Sequence, residues 1–367
     1  MPENLKPAGK NLANDSVRYY SFILLAAIVI VSCYLLQVPT VYIGWFSFFL
    51  ASLSVAGNDA IQTIGTFIES KKDSPLKWKV LVFCGILFLF LLLDWYGMKI
   101  PFLLDGNSQQ EIHFGRLQKI EPVESYNLIQ LLAPIILLIV TRLKAPISTT
   151  FLILSLFSTN TNVITGMLTK SLIGYGIAFS IAMLAWGFLA WRSPQEYKDD
   201  YVPDEQSEKF WSIVQWISTS FLWMAWVLQD IANIAVYIPR QLNFLEFFLA
   251  ASIMSLCLAY ILKNNGGRIQ EIVSEKSDIR EAKAASYIDL VYATILLIFK
   301  KLNSLPMSTT WVFLGLLAGR EIILHVVTRQ DDPYLDTFRK VSKDVMLASL
   351  GIGVSLGIYF LAKNIYG

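Results

Sequence analysis

No side chain between residues 41 and 55 carries a charge, and stretches of this kind recur along the chain at close to the length that crosses a bilayer. About 20 apolar residues span the hydrocarbon as a helix. Runs near that measure lie at residues 19–37, 79–95, 126–141, 171–191, 210–238, 244–262, 284–299, 307–327 and 345–362. In lipid every backbone N–H and C=O must be satisfied within the segment, and none of these runs alternates as a strand does, so each is expected to be helical. The composition agrees: 55% of the 367 residues are hydrophobic, 16% are charged, and the mean hydropathy is +0.52. That balance excludes a soluble globular domain. The expected fold class is an all-α polytopic membrane protein, integral, multi-pass and embedded in a lipid bilayer.

A net charge of +2, spread along the chain, offers no basic face, so nucleic acid is not an expected partner. Cys33, Cys84 and Cys257 all fall inside apolar runs and read as packing thiols. The polar residues 1–18 precede a long apolar run without a small-residue cleavage pattern, so no removed signal peptide is expected. Basic residues flank many runs without alternating, which leaves the orientation open under the positive-inside rule.

The chain repeats itself. "GNDAIQTIGTFI" from Gly57 is echoed by "LQDIANIAVYIP" from Leu228, "APISTTFLIL" from Ala145 by "LPMSTTWVFL" from Leu305, and "GRLQKI" from Gly115 by "GRIQEI" from Gly267. Three echoes in one order point to an internal duplication. The charged, Pro-containing stretch at 192–209 reads as a linker between a first repeat, 1–191, and a second, 210–367. An odd number of crossings per repeat makes the halves inverted, with interrupted or re-entrant helices meeting at a midplane site.

Each repeat places a carboxylate where burial is costly: Asp59 after Asn58, and Asp230 after Gln229. An intramembrane ionisable residue is a functional candidate by default. Each repeat also opens an apolar helix with Pro-x-Ser-Thr-Thr, a helix start whose free amides and hydroxyls suit an anion. Ser148, Thr149 and Thr150, with Ser308, Thr309 and Thr310, are the expected substrate ligands. Asp59 and Asp230, with Asn58, Gln62, Gln229 and Asn233, suit a small hard cation, which wants oxygen ligands. Asn58 and Gln229 are placed on the substrate as well. Arg320 and Glu321 lie side by side some ten residues beyond the second Ser-Thr-Thr, and Arg320 joins the substrate set because guanidinium matches oxyanions. Lys170 and His325 read as interfacial.

"GVSLG" at Gly353 fits the nucleophile pattern G-x-S-x-G but lies in a membrane run, and Gly353 and Gly357 read instead as a small-residue packing pair. There is no Walker-type phosphate loop. No enzyme and no cofactor are expected.

"AGNDAIQTIGT" at Ala56, with "PISTTF" and "PMSTTW", resembles the signatures of the inorganic phosphate transporter (PiT) family, and the stretch leading from Gly115 into the first Pro-x-Ser-Thr-Thr is similar in layout. The resemblance covers both halves. It implies an inverted-repeat fold, inorganic phosphate as substrate, Na⁺ or H⁺ as coupling ion, alternating access, a homodimer and a cell-membrane location. The chain departs from the pattern at Gln62 and Gln229, which stand for asparagines, at Val227 and Val236, which stand for glycines, and at Phe151 and Trp311, which stand for histidines. Where the family carries an acidic residue ahead of Pro-x-Ser-Thr-Thr, repeat one offers Gln130 and repeat two Asp289, which joins the cation set. Sulfate or another oxyanion as cargo, and a non-transporting receptor or channel-like subunit, are the alternative expectations.

Overall fold

The computed structural model describes residues 8–106, 109–142, 147–158, 160–197, 204–267, 270, 282–302, 307–328 and 334–366. Pro146, Pro306, Thr159 and most of "GRIQEI" lie outside the described residues, as do 198–203 of the linker. The helices are α1 (Ala8–Leu35), α2 (Thr40–Gly57), α3 (Asp59–Ser70), α4 (Leu76–Trp95), α5 (Leu128–Arg142), α6 (Thr149–Leu152), α7 (Thr161–Arg192), α8 (Glu205–Asp230), α9 (Ala232–Ala235), α10 (Phe244–Lys263), α11 (Ala282–Leu302), α12 (Thr309–Thr328) and α13 (Tyr334–Tyr366). One two-residue ribbon, β1 (Lys99–Ile100) with β2 (Leu104–Asp105), sits in the connection after α4.

Among the described residues eight helical stretches are long and apolar enough to cross a membrane, α2 and α3 counting as one. The run at 126–141 does not reach that length. Its helix α5 has 15 residues, roughly 22 Å at 1.5 Å per residue, against a ~30 Å hydrocarbon core. Asn127 and Gln130 fix its start by exchanging side-chain to backbone hydrogen bonds of 2.8 and 2.9 Å. The run at 210–238 is also redrawn. Asp204 accepts from the Ser207 amide at 2.9 Å and starts α8 at Glu205, five residues ahead of the expected repeat boundary. After Ala235 the same run tightens into i→i+3 bonds, Tyr237 to Ile234 and Ile238 to Ala235, because Pro239 has no N–H with which to continue the helix.

The motif-bearing helices lie inside. Within the most apolar 18-residue window of each span, 72% is buried in α12 and 56% in Thr40–Ser70 and in α11, against 17% in α1 and 22% in α4 and in α7. The outer helices thus offer apolar surface to lipid while the inner ones carry the polar positions. Close approach of α12 to α7 depends on two glycines: a Cβ at Gly315 would stand 2.4 Å from the Tyr175 carbonyl oxygen, and one at Gly319 would stand 2.3 Å from that of Phe179. Gly353 and Gly357, expected as the packing pair, face open space, with nothing within 4 Å of an added Cβ.

A single order of elements occurs twice: a helix interrupted at the carboxylate, a span, a helix leading to Ser-Thr-Thr, a helix starting there, and a helix of more than 30 residues. Gly115 and Gly267, which open the third echo, both adopt the left-handed region, at φ +69° and +66°. In the connection after Tyr96, residues 112–117 turn inward, with Ile112, His113, Phe114, Arg116 and Leu117 buried, while much of the rest lies on the surface. Trp95 O accepts from the Gln110 amide at 2.7 Å, Gln110 O from the Leu242 amide at 2.8 Å, and Asp94 from the Phe114 amide at 2.7 Å. Arg240 adds bonds to the Ile120 and Glu121 carbonyls. His113 is buried beside Glu111, its Nε2 3.0 Å from the carboxylate. Burial and the Arg240 charge pull its pKa down to about 4, so at neutral pH the imidazole is uncharged and donates to Glu111.

Candidate functional site

The first carboxylate sits where one helix becomes two. Asn58, at distorted helical angles of φ −112°, ψ −74°, stands between the end of α2 and the start of α3, so Asp59 occupies the first turn of α3. An acidic residue there is favoured by the unpaired amides and the positive dipole end. Asn58 Nδ2 donates to Asp59 Oδ1 at 2.5 Å and to the Ile147 carbonyl at 2.7 Å, which ties the break to the start of the first Ser-Thr-Thr helix. Asp230 sits at the corresponding end of α8, but its interruption is slighter, with Ile231 still at helical angles.

Both Ser-Thr-Thr segments start helices in one way. Ser148 Oγ accepts from the Phe151 amide and Ser308 Oγ from the Trp311 amide, each at 3.4 Å. The serines are therefore caps. The next residue turns to the carboxylate of its own repeat: Thr149 Oγ1 donates to Asp59 Oδ2, and Thr309 Oγ1 to Asp230 Oδ2 at 2.5 Å.

Asn233 joins the two halves. Its Nδ2 lies 3.0 Å from Thr149 Oγ1, 3.2 Å from Thr150 Oγ1 and 3.2 Å from Asp230 Oδ1, so two hydrogens serve three acceptors. Thr150 Oγ1 is also placed to donate to Asn233 Oδ1 at 3.4 Å or to the Met307 carbonyl at 3.3 Å. Asp59 and Asp230, 171 positions apart in sequence, are thus linked through Thr149 and Asn233, both 1% exposed and within electrostatic range of each other. Two further acceptors are buried nearby in sequence. Gln62 Nε2 donates to Asn58 Oδ1 at 3.3 Å and Gln229 Nε2 to the Leu296 carbonyl at 2.6 Å, while the Oε1 of each accepts no hydrogen bond from the described residues. Carboxylate, amide and hydroxyl oxygens gathered in a buried cluster are a donor set for a hard cation.

Not every expected residue joins this cluster. Thr310 is buried at the head of α12. Asp289 lies elsewhere, accepting from Thr66 Oγ1 at 3.0 Å and from Thr219 Oγ1. Thr66 is seven residues from Asp59, roughly 10 Å along the helix. Arg320 is eleven residues beyond Thr309, roughly 16 Å along α12, with Nη1 3.9 Å from Glu321. The structure does not bring it to the carboxylates. Gln130 is structural, its amide donating to the Leu156 carbonyl at 2.9 Å. Lys170 and His325, expected at an interface, are both buried, the latter with Nδ1 3.1 Å from Thr337 Oγ1.

Arg116 is the residue that sequence reasoning passed over. It is 2% exposed on the 96–127 connection and lies within electrostatic range of Asp230 and Asp105. Burial lowers its pKa to about 10, the two carboxylates opposing that, and it stays charged at neutral pH. The signal available was the Gly-Arg echo, whose first copy places the buried Arg116 directly after the left-handed turn at Gly115.

No family model matches the chain, and no curated protein sequence matches it. Its fold is similar to a solved structure of the sodium-dependent phosphate transporter, with a TM-score of 0.57 and 16% identity, over 89% of this chain and 99% of that one.

Proposed function

We propose that this chain is a secondary carrier that moves inorganic phosphate across a membrane together with a cation, Na⁺ or H⁺. The observation that carries the reading is the doubled contact, Thr149 on Asp59 and Thr309 on Asp230, bridged by Asn233. Two buried carboxylates close enough to repel are stable when a positive charge lies between them, and an anion accepted beside them needs that charge too. Cation and anion then bind as one unit. The Ser-Thr-Thr helix starts supply amides and the Ser148 and Ser308 hydroxyl protons to the anion, those of Thr149 and Thr309 serving the carboxylates, and the oxygens of Asp59, Asp230, Asn58, Gln62, Gln229 and Asn233 hold the cation. The likeness in fold to a sodium-dependent phosphate transporter supports the cargo and the coupling.

The recurrence of one element order in two halves supports an inverted pair rocking about a fixed site, which is alternating access. Asp289, with Thr66 and Thr219, supplies a second oxygen-rich position on the cation's route. The test is uptake of labelled phosphate into proteoliposomes with Na⁺ or H⁺ gradients imposed separately and sulfate as competitor. Cation-dependent uptake that sulfate does not suppress supports the reading; sulfate uptake in its place reassigns the cargo.

A further inference from the structure

Two short elements lead away from the carboxylate and hydroxyl cluster and end together. From Thr149 and Thr150 the chain continues through a 3₁₀ turn, Leu154–Phe157, and from Asn233 it continues through the end of α9 to Tyr237. The two are in contact at both ends. Asn233 bonds Thr149 and Thr150 at the cluster, and the Phe157 and Tyr237 rings meet edge to face with centroids 5.1 Å apart. Tyr126, just ahead of α5, completes a triangle, its ring 6.1 Å from each of the other two. Tyr237 is 1% exposed and Phe157 3%, while Tyr126 is only partly buried, so the triangle reaches from the interior toward the surface.

The rings are held by hydrogen bonds to carbonyl groups that helix geometry leaves without partners. Pro134 has no N–H to give the Gln130 carbonyl, and the Tyr237 and Leu156 carbonyls stand at or past the ends of their short elements. Tyr237 Oη donates to the Gln130 carbonyl at 2.7 Å, Tyr126 Oη to the Tyr237 carbonyl at 2.8 Å, and the Gln130 side chain to the Leu156 carbonyl at 2.9 Å. The two tyrosine bonds cross between the half of the chain that carries Asp230 and the half that carries Asp59. Gly44 on α2 backs the contact: a Cβ there would stand 2.4 Å from the Tyr237 carbonyl oxygen and 3.0 Å from Tyr126 Oη.

With both hydroxyls turned to carbonyls, the rings leave an apolar constriction that a hydrated ion does not pass. The two elements cannot part here without breaking the tyrosine bonds. Parting frees carbonyls that entering water then satisfies, so opening and hydration go together. We propose that Tyr126, Phe157 and Tyr237 are a gate that closes the cluster toward the side of the membrane on which Tyr126 lies, with the two tyrosine hydroxyls as its latch. The proposal rests on the carrier reading for what passes the gate and not for the gate itself.

The experiment places single cysteines behind the rings of the full-length protein, with Cys33, Cys84 and Cys257 replaced by alanine, in liposomes without phosphate. Ser155→Cys and Ala235→Cys, each buried and two residues ahead of a gate ring, are independent reporters, and Ser125→Cys, exposed beside Tyr126, marks the side. A charged, membrane-impermeant thiosulfonate is added from one side at a time. Both reporters should react slowly. Tyr126→Phe with Tyr237→Phe keeps the rings and removes the latch, and should raise their rate about tenfold from the marked side only. Tyr19→Phe removes a bond of the same kind elsewhere, Tyr19 Oη to the Leu138 carbonyl at 2.7 Å, and should leave the rate unchanged. A rate that the double substitution does not change overturns the gate, as do equal acceleration by Tyr19→Phe, acceleration from the opposite side, and reporters that already react fast with the tyrosines in place. Cation-driven phosphate uptake by wild type is measured in parallel. Its absence, with labelling as expected, removes the carrier reading and leaves the gate; its presence, with labelling unchanged, removes the gate and leaves the carrier reading.

Discussion

A carboxylate at position 59 has to be accounted for by what surrounds it, and the surroundings are Asn58, Thr149 and, through Asn233, a second carboxylate. Asp59→Asn keeps the shape and removes the charge. Cation affinity should fall about 100-fold or more, in line with the 3–5 kcal/mol lost when one partner of a buried ion pair is removed. Anion affinity should fall with it, because coupled binding free energies are reciprocal. Equilibrium binding of each ligand with and without the other checks both. Thr149→Ala should weaken the site by roughly 1.5–3 kcal/mol, the worth of a hydrogen bond to a charged group, and Thr149→Ser should restore it. His113 gives a pH dependence of a different origin. Its folded pKa, about 4, lies below the ordinary value of 6.5. The neutral imidazole's contribution is fully present above 6.5 and is lost as pH falls toward 4, since the unfolded chain takes up the proton first. Thermal unfolding should therefore shift downward over that window in wild type and much less in His113→Asn.

At the scale of the element, a pattern of small residues is legible in sequence but its partner is not. Gly353 and Gly357 have the same spacing as Gly315 and Gly319, yet only the second pair meets a neighbouring backbone. Gly319→Leu should separate α12 from α7 and cost roughly 1–3 kcal/mol, the usual penalty of overpacking. Gly353→Ala should be neutral or stabilising by up to ~1 kcal/mol, because alanine is the better helix former. Detergent-solubilised thermal melts distinguish the two. Asp59 and Asp230 were legible for a related reason, since a charge inside an apolar run advertises its own cost. Arg116 sits in a polar connection, where an arginine is ordinary, and only the fold shows that the connection turns inward. Arg320 misled in the opposite direction: it stands in an apolar run, but helix rise carries it away from Thr309 to Glu321. The short α5 was hidden because apolar composition does not reveal where Asn127 and Gln130 start a helix.

For the whole molecule, the element order of the two halves argues for inversion, and the connections make that testable. If the halves are inverted, the link after α3, near Lys72, and the link after α9, near Gln241, face opposite sides of the membrane. The α4 span of 20 residues separates them, since the link after α9 is bonded to the connection at its far end. Single cysteines at 72 and 241, with the three native cysteines replaced by alanine, should label from opposite sides; labelling from one side would refute the inverted arrangement. The central claim, however, is that Asp59 binds the cation that carries the anion. It is tested most directly by phosphate accumulation in proteoliposomes driven by an imposed Na⁺ or H⁺ gradient, comparing wild type with Asp59→Asn. The account predicts that wild type accumulates phosphate above its external concentration only while the gradient lasts, and that Asp59→Asn does not accumulate it under either gradient. Equal accumulation by the two proteins, or uptake by wild type that ignores both gradients, would contradict it.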